Sequence, residues 1–434
     1  MIVVSHPTDT LQGDITVPGD KSISHRAVMM GAIAEGVTTV HGFLFSADCF
    51  ATLKAFQTLG VVIKPLNESS IEIHGVGKYG LKKPQQTIDC GNSGTTLRLL
   101  AGILAAQSFD SELTGDNSLL KRPMERIVKP LSRMGAQLSA IDGRPPLRIH
   151  GVDALKGMTY EMQEASAQVK SSILFAGLYA TGETQIIEPV ASRDHTERLF
   201  ASFSYPLHKT DNTITIHSSG SLYGTDIFVP GDISSAAFFI VAATLVPHSR
   251  LCIRNVGINP TRTGFLEILK QMGANITVSN IRQLGEEPVA DIYVCHSPLC
   301  GIVIPESLVP LSIDEFPILF IAAACAFGET VLRGAKELRV KETDRIAVMA
   351  KGLTNLGIEV NVFDDGIMIR GGILTGGEVD SCYDHRIAMA FLIAGAIASS
   401  PIIVDHCEQV ATSFPHFITV ANQINLSMRV ANHD

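Results

Sequence analysis

Apolar residues follow a pattern that recurs six times along the chain. Each copy has a short polar or charged cluster, then a helix-length run of small and apolar residues, then a turn into a short β-rich stretch. The six copies begin at Gly19, Gly91, Ser166, Gly231, Asp314 and Tyr383. Repetition on this scale predicts an architecture built from one supersecondary unit.

A second, amphipathic helix is predicted between these runs, because apolar residues recur there with a period near 3.6. The pattern is clearest at residues 53–60, 127–135, 265–273 and 346–357. Each of these stretches ends on a glycine, which is typical of a helix end, and then enters a β-rich piece. The repeated unit is therefore predicted to be βαβαββ, and the chain to have an α/β fold.

The string Pro-Gly-Asp occurs at Pro18 and again at Pro230, nearly half the chain apart. This spacing indicates a duplicated half that holds three units. We expect two barrel-like α/β domains of three units each, one formed by residues 19–229 and the other by residues 1–18 together with 230–434. The chain would pass between them near residues 18–19 and 229–231, and these two strands would act as a hinge.

Composition narrows the functional classes. A length of 434 residues allows two or three domains, and a net charge of −9 disfavours a broad nucleic-acid or membrane-binding surface. The apolar runs are too short to span a membrane.

Eight cysteines at irregular spacing, with no C-x-x-C pair and no secretory signal layout, favour a cytoplasmic protein. No histidines have metal-ligand spacing such as H-E-x-x-H, so no metal site is predicted.

The polar residues that distinguish the copies lie just before or within the first turn of the small-residue helices. Backbone N–H groups and the helix dipole favour bound anions there. One such cluster alone is equally well explained as a capped, solvated helix start. Because these clusters lie between strongly apolar segments, we expect partial burial, and together they predict a site for a multiply charged anion.

Several of these clusters carry cations or carboxylates suited to acid–base chemistry. The first copy places Ser22 and Arg26 four residues apart on one helical face. Lys121 and Arg122 precede a helix that we expect to begin at Pro123. The later copies add seven polar residues: Asp314, Lys341, Glu342, Arg345, Asp384, His385 and Arg386. We expect Lys341 and Arg345 to share one helical face.

The strings PGDKSISHRA, GNSGTTLRL, RVKETDR and DHRIAMA, with the Lys121-Arg122-Pro123 segment, resemble the 5-enolpyruvylshikimate-3-phosphate (EPSP) synthase family over essentially the whole chain. Four further strings, SRDHTE, GDISS, NPTR and ATSFP, resemble its class II subgroup, known for glyphosate-tolerant members. The family fold, two inverse α/β domains around a hinged cleft, agrees with the sixfold repeat.

The resemblance implies transfer of the enolpyruvyl group of phosphoenolpyruvate to the 5-hydroxyl of shikimate 3-phosphate, with release of phosphate, in aromatic amino acid biosynthesis. It implies no metal, nucleotide or organic cofactor, and glyphosate as an inhibitor. We expect a monomer in the cytoplasm that binds neither nucleic acid nor membrane.

Site roles follow from the resemblance, motif by motif. The residues implied for catalysis are Asp314, Glu342, Lys341 and Lys21. Those implied for shikimate 3-phosphate are Lys21, Ser22, Arg26, Ser166, Ala167, Gln168, Ser192, Arg193, Asp314 and Lys341. Those implied for phosphoenolpyruvate are Lys21, Gly94, Arg122, Gln168, Arg345 and Arg386. Guanidinium groups suit carboxylate and phosphate oxygens because they donate in pairs.

Two positions depart from related sequences. Thr412 stands in ATSFP where many members have a lysine, which puts one phosphate contact in doubt and is a change shared by class II. Gly94 stands where tolerant class II members have alanine, so we expect glyphosate sensitivity.

Two other functions remain as alternatives. The related UDP-N-acetylglucosamine enolpyruvyl transferases share the fold, but their K-N-x-x-L-P string and loop cysteine do not occur here. A non-catalytic anion-binding repeat protein is the other, but its repeats would be nearly equivalent, whereas the polar residues here differ from copy to copy.

Overall fold

The computed structural model describes residues 1–431, which form an α/β fold with mixed sheets. Twelve helices are present in this range: α1 Lys21–Ile33, α2 Ala47–Thr58, α3 Gly94–Leu104, α4 Glu125–Arg133, α5 Ala167–Gly177, α6 His195–Ser202, α7 Ile233–Leu245, α8 Gly264–Gln271, α9 Phe316–Ala324, α10 Arg345–Asn355, α11 His385–Gly395 and α12 Phe417–Gln423. None of the helices within residues 1–431 is long and apolar enough to cross a membrane.

The strands of the same range are short and evenly spaced between the helices. In chain order they are β1 Val3–His6, β2 Gln12–Thr16, β3 Glu35–His41, β4 Val62–Asn67, β5 Ser70–Val76, β6 Ile88–Asp89, β7 Ser111–Thr114, β8 Gln137–Ile141, β9 Arg144–His150, β10 Thr159–Glu161, β11 Glu183–Ile187, β12 Leu207–Thr210, β13 Thr213–His217, β14 Asp226–Phe228, β15 Arg250–Gly257, β16 Asn275–Leu284, β17 Glu287–Cys295, β18 Glu329–Leu332, β19 Glu359–Phe363, β20 Gly366–Arg370, β21 Gly377–Asp380, β22 Ile402–Asp405 and β23 Ser427–Val430. Short 3₁₀ helices occur at Leu119–Lys121, Glu306–Leu308, Lys336–Val340 and Cys407–Thr412.

The predicted βαβαββ unit is confirmed by this order of elements. The first four copies are complete, beginning at β2, β6, β10 and β14. In the fifth copy the first strand is reduced to two isolated bridges, Cys300 with Phe327 and Val303 with Val331. In the sixth copy the last strand is supplied by β1 from the start of the chain, which pairs with both β22 and β23.

The residues form two compact units. The first, here called the continuous unit, comprises Gly19–Val229 with Leu284–Glu286, and the second, called the split unit, comprises Met1–Pro18, Pro230–Gln283 and the chain from Glu287 onward. Each has its own apolar core. The small-residue helices form the centre of each core, with α3 packed against α1 and α5, and with α7, α9 and α11 packed against one another.

Sheets of the continuous unit share one order: β14-β3-β5-β4, β6-β7-β9-β8 and β10-β11-β13-β12. The first pair in each is parallel and the others are antiparallel. The split unit has the sheets β16-β17-β15-β2, β18-β20-β19 and β21-β22-β1-β23. Thus β2 pairs with β15 at the edge of a sheet in the split unit, and β14 pairs with β3 at the edge of a sheet in the continuous unit.

Glycines end the amphipathic helices as the sequence predicts. Gly60, Gly135, Gly273 and Gly357 follow α2, α4, α8 and α10 with φ values between 85° and 104°. A side chain is disfavoured in this left-handed region, so glycine lets the chain reverse into the next strand.

Two local predictions are wrong. The helix expected at Pro123 begins at Glu125, because residues 119–121 form a separate 3₁₀ turn that Lys121 ends. Lys341 and Arg345 do not share a helical face: α10 begins at Arg345, with Asp344 as its N-cap accepting from Ala347 N. Lys341 and Glu342 lie in the loop before α10, where the capping aspartate interrupts helical continuity.

Candidate active site

Three helix starts of the continuous unit carry most of the predicted anion-binding residues. The helices α1, α3 and α5 are capped by Asp20, Ser93 and Ser166, whose side chains accept from backbone N–H groups of the first turn. Such caps fix the first turn and hold the side chains next to it. The predicted residues Lys21, Gly94 and Ala167 are the first residues of the three helices.

On α1, Lys21 and Arg26 are anchored in different ways. The ammonium of Lys21 forms an ion pair with Asp48 of α2 at 2.5 Å. Arg26, which is 2% exposed, donates from Nε to Thr196 Oγ1 at 2.6 Å and from Nη2 to Ser171 Oγ at 2.9 Å. A third bond, to Ser22 O at 3.0 Å, confirms the four-residue spacing on one helical face. The result is a rigid guanidinium that joins α1 to α5 and α6.

Ser22 and Arg193 lie together in the same region. Arg193 donates from Nη1 to Ser22 Oγ at 2.6 Å. Ser192, the preceding residue, is buried, and its hydroxyl donates to Glu188. The structure therefore places Arg193 beside the start of α1, whereas the Ser192 hydroxyl is engaged with a neighbouring carboxylate.

The start of α3 is arranged around Gly94. Gln168 of α5 accepts from Arg98 Nη1 at 2.6 Å and donates to Thr95 Oγ1 at 3.1 Å. A Cβ atom on Gly94 would lie 3.1 Å from Nη1 of both Arg98 and Arg122. Glycine here lets two guanidinium groups approach the helix start.

Arg122 lies in the loop that precedes α4, and neighbouring side chains hold its guanidinium group. It donates from Nη2 to Asn92 Oδ1 at 2.8 Å and to Ser118 Oγ at 3.2 Å. Asn92 is itself fixed by its amide, which donates to Asp116 at 2.8 Å. The structure thus gathers Arg98, Arg122, Gly94 and Gln168, and the neighbouring Lys121 is exposed.

His25 lies behind this surface and is fully buried. Its Nδ1 contacts Thr52 Oγ1 at 2.6 Å, and Thr52 in turn contacts Thr96 Oγ1 at 2.7 Å. Burial, followed by the nearby positive charges of Lys21 and Arg26, holds the pKa of His25 well below its usual range. The imidazole is therefore neutral and serves as a link between α1, α2 and α3.

In the split unit, Asp314 is surrounded by positive charge. Its Oδ1 lies 3.9 Å from Lys341 Nζ and 3.8 Å from Arg345 Nη1, and its Oδ2 lies 3.9 Å from Arg386 Nη2. Its backbone carbonyl also accepts from Arg386 Nη1 at 3.0 Å. These charge separations exceed hydrogen-bond length, so the three cations attract the carboxylate without a direct bond from these atoms.

Arg345 is the most buried of these cations, at 1% exposure. It donates from Nε to Asp384 Oδ2 at 2.8 Å and from Nη2 to Glu342 Oε2 at 2.8 Å. Burial lowers its pKa, but the charges of Asp384, Glu342 and Asp314 outweigh burial and leave the pKa raised. Arg345 therefore carries a permanent charge that binds Glu342 and lies near Asp314.

Lys341 is held mainly by Glu337, whose Oε1 accepts from its ammonium at 2.9 Å. The carboxylate comes from the 3₁₀ helix Lys336–Val340, so this short helix places the ammonium near Asp314. Sequence reasoning did not assign a role to Glu337.

Other residues in these networks were also missed. They share a supporting role, because each holds a predicted residue: Asp48, Ser118, Ser171, Thr196 and Glu337. Ser118 and Glu337 lie only four residues from Arg122 and Lys341, so their spacing was visible in the sequence. Asp48, Ser171 and Thr196 are distant in sequence from the residues they hold, and single-chain patterns do not show such pairs.

Thr412 is the departure noted above. It is buried at the end of the 3₁₀ helix Cys407–Thr412, and its hydroxyl donates to Gln409 O at 2.6 Å. Within residues 1–431, no group of three or more His, Cys, Asp or Glu side chains is arranged to hold a metal ion.

Taken together, the continuous unit holds guanidinium and ammonium groups suited to phosphate and carboxylate oxygens. The split unit holds two carboxylates, Asp314 and Glu342, among cations. Such carboxylates can accept or donate a proton while the cations stabilise developing negative charge.

Comparison with known proteins identifies the family. Residues 5–420 match the family described as EPSP synthase (3-phosphoshikimate 1-carboxyvinyltransferase). A protein of that second name from Legionella pneumophila strain Lens is 60% identical over 425 residues, covering 98% of both chains. Another from Methylococcus capsulatus is 55% identical over 432 residues, covering 99% of both.

Solved structures agree with this relationship. EPSP synthase from Acinetobacter baumannii has 53% sequence identity and a TM-score of 0.88, covering 99% of this chain and 100% of the other. The enolpyruvyl transferase NikO from Streptomyces tendae, at 17% identity and a TM-score of 0.81, covers 99% and 98% and shows that the fold is shared. With this match along nearly its whole length, the chain belongs to the EPSP synthase family.

Proposed function

We propose that the two residue sets described above divide the work of the EPSP synthase reaction between substrate binding and proton transfer. The reaction joins shikimate 3-phosphate to the enolpyruvyl group of phosphoenolpyruvate and releases phosphate, in the shikimate pathway of aromatic amino acid biosynthesis. The residue roles below are our assignment, and the main support is the contact set around Asp314, where a carboxylate, a lysine and two arginines converge.

Shikimate 3-phosphate would be bound largely by the continuous unit. We assign to it Lys21, Ser22, Arg26, Ser166, Ala167, Gln168, Ser192 and Arg193, with Asp314 and Lys341 from the split unit. Support comes from the bonds that hold Arg26 and Arg193 against Ser22. In the described conformation the Ser192 hydroxyl donates to Glu188, so it would have to release that bond before donating to a phosphate oxygen.

Phosphoenolpyruvate carries a carboxylate and a phosphate, and paired guanidinium donors suit both. We assign Arg122, Arg345 and Arg386 to these groups, with Lys21, Gly94 and Gln168 nearby. The absence of a side chain at Gly94 supports this, because it leaves the guanidinium of Arg122 close to the start of α3.

The chemistry would proceed by addition and then elimination. In the addition step, the 5-hydroxyl oxygen bonds to C2 of phosphoenolpyruvate, Asp314 accepts the hydroxyl proton, and Glu342 in its acid form donates a proton to C3. In the elimination step, Glu342 takes a proton back from C3, the C2–O bond to phosphate breaks, and phosphate leaves with the proton that Asp314 had accepted. Lys341 and Arg345 would stabilise the charge that develops near both carboxylates.

We further propose that the chain acts as a monomer in the cytoplasm. Its eight cysteines are all free thiols, which suits a reducing compartment. Sedimentation at micromolar concentration tests the monomer, and a larger sedimenting species would contradict it.

The decisive experiment measures phosphate release from phosphoenolpyruvate with shikimate 3-phosphate as acceptor and, in parallel, with UDP-N-acetylglucosamine. Release only with shikimate 3-phosphate supports the proposal. Release only with the nucleotide sugar would move the assignment to the related transferases. Binding of shikimate 3-phosphate without release of phosphate would contradict the assigned catalytic roles.

A further inference from the structure

A buried charge cluster lies behind the Ser192–Arg193 segment and takes no part in the chemistry above. Lys170 of α5 is fully buried, and its ammonium lies 3.0 Å from Glu188 Oε2 and 2.7 Å from Glu197 Oε1. Both carboxylates are themselves buried. Placing three charges in a core is expensive unless they are paired, so the sequence retains them at a cost in stability.

The cluster holds one loop at its beginning, middle and end. Residues 188–194 have no regular structure between β11 and α6. Glu188 begins this loop, Glu197 lies in the first turn of α6, and Lys170 also donates to the backbone carbonyl of Ser192 at 3.3 Å. A single ammonium therefore contacts the loop at two points and the first turn of the following helix at a third.

Ser192 is bound on every polar atom by this cluster. Its backbone N–H donates to Glu188 Oε1 at 3.1 Å, its hydroxyl donates to the same oxygen, and its carbonyl accepts from Lys170. The next residue, Arg193, reaches Ser22 at the start of α1. Fixing the backbone at Ser192 thus fixes the origin of the Arg193 side chain.

We propose that Glu188, held by Lys170 within this cluster, positions Arg193 for the 3-phosphate of the acceptor substrate, whereas Glu197 only balances the charge of Lys170. Glu188 is the central member of the cluster because it contacts both Lys170 and Ser192. This rests on the proposed function, in which Arg193 contacts that phosphate. The cluster acts through Arg193 and touches no substrate itself. Without it, the loop would have to be ordered by the substrate, and binding would weaken.

Two substitutions that remove the same charge distinguish a positioning role from a general effect on stability. Glu188→Gln and Glu197→Gln each remove one carboxylate from the same ammonium. An amide oxygen at residue 188 can serve Ser192 or Lys170 but not both, whereas residue 197 has no bond to Ser192. We expect Glu188→Gln to raise the KM for shikimate 3-phosphate about tenfold, with kcat and the KM for phosphoenolpyruvate within about twofold. Glu197→Gln should leave all three within about twofold.

A second variant allows the same test if a neutral side chain at residue 188 disturbs folding. Glu188→Asp retains the charge but shortens the side chain by one methylene, and it should also raise the KM for shikimate 3-phosphate. Binding of shikimate, which lacks the phosphate, should be unchanged in both variants when measured by calorimetry. Equal effects of the two glutamine variants, a fall in kcat instead of a rise in KM, or an equal loss of shikimate binding would overturn the proposal.

Arg193→Gln distinguishes this inference from the proposed function. If Arg193→Gln leaves the KM for shikimate 3-phosphate unchanged, the assigned phosphate contact is wrong, and the positioning role is refuted with it. If Arg193→Gln raises that KM but Glu188→Gln does not, only the positioning role is refuted. In the double variant, the effect of Glu188→Gln should shrink, because the Arg193 guanidinium that the cluster positions is then absent.

Discussion

Two arginines from each unit lie in different chemical surroundings. In the continuous unit, Arg26 and Arg122 donate to hydroxyl, amide and carbonyl oxygens, which orient each guanidinium. In the split unit, Arg345 and Arg386 lie among carboxylates such as Asp384, Glu342 and Asp314. Neutral partners orient a guanidinium for an anionic substrate, whereas carboxylate partners place groups that can move protons beside the arginines assigned to phosphoenolpyruvate.

The largest expected effect concerns the carboxylates of the split unit. Asp314→Asn and Glu342→Gln should each lower kcat by about 10²- to 10⁴-fold, because each removes an acid–base group at nearly constant shape. Initial rates of phosphate release measure this, and calorimetry should show shikimate 3-phosphate binding changed less than tenfold. Glu329→Gln, which alters an exposed ion pair with Arg370, is the control. A kcat within tenfold of the unchanged chain would remove these residues from the chemistry.

Stability should distinguish the two kinds of arginine. Arg345→Met leaves Asp384 buried beside no guanidinium, so we expect a loss of about 3–5 kcal/mol in the free energy of unfolding. Arg122→Met removes bonds to neutral oxygens and should cost about 1 kcal/mol per bond. Urea unfolding at pH 7 measures both values. Equal losses in the free energy of unfolding would mean that the charge of an arginine's partners does not determine how much that arginine contributes to stability.

Gly94 tests how closely the continuous unit fits its ligand. The methyl of Gly94→Ala would press on Arg98 and Arg122 at 3.1 Å, a contact that costs about 1–3 kcal/mol if it cannot relax. We expect the inhibition constant for glyphosate to rise about tenfold or more, and the KM for phosphoenolpyruvate to rise less. Steady-state inhibition of both proteins decides this, and equal inhibition constants would refute it.

The smallest effect is a pH dependence from His25. Its pKa is lowered in the folded protein, so the unfolded chain binds the extra proton first as pH falls. This contribution is present above the unfolded pKa of about 6.5 and is lost progressively below it, with a slope of at most about 1.4 kcal/mol per pH unit. Urea midpoints between pH 5 and 8 should fall less steeply for His25→Gln. Parallel curves for the two proteins would assign the acid sensitivity to other groups.

More of the architecture than of the site could be predicted from the sequence. The sixfold unit was predictable because each copy has a small-residue apolar helix, and because four of the six end their second helix on glycine. The position of Lys341 was not, because the Asp344 cap that separates it from α10 looks like one more charge in a charged run. The cluster of Lys170, Glu188 and Glu197 was equally hidden, since a lysine within SAQVKS gives no sign of complete burial.

The strand β1 has a consequence for how the chain is made. Val3 pairs with Val404 on one side and with Val430 on the other, so β1 bonds to residues that are made about 400 residues later. At about 5–20 residues per second, β1 waits roughly 20–80 s for these partners. Gly19–Val229, by contrast, is complete well before residues 404 and 430 are made. Newly made chains should therefore pass through a stage in which one unit is folded and the amino-terminal segment still has an unpaired edge, available to chaperones or to another chain.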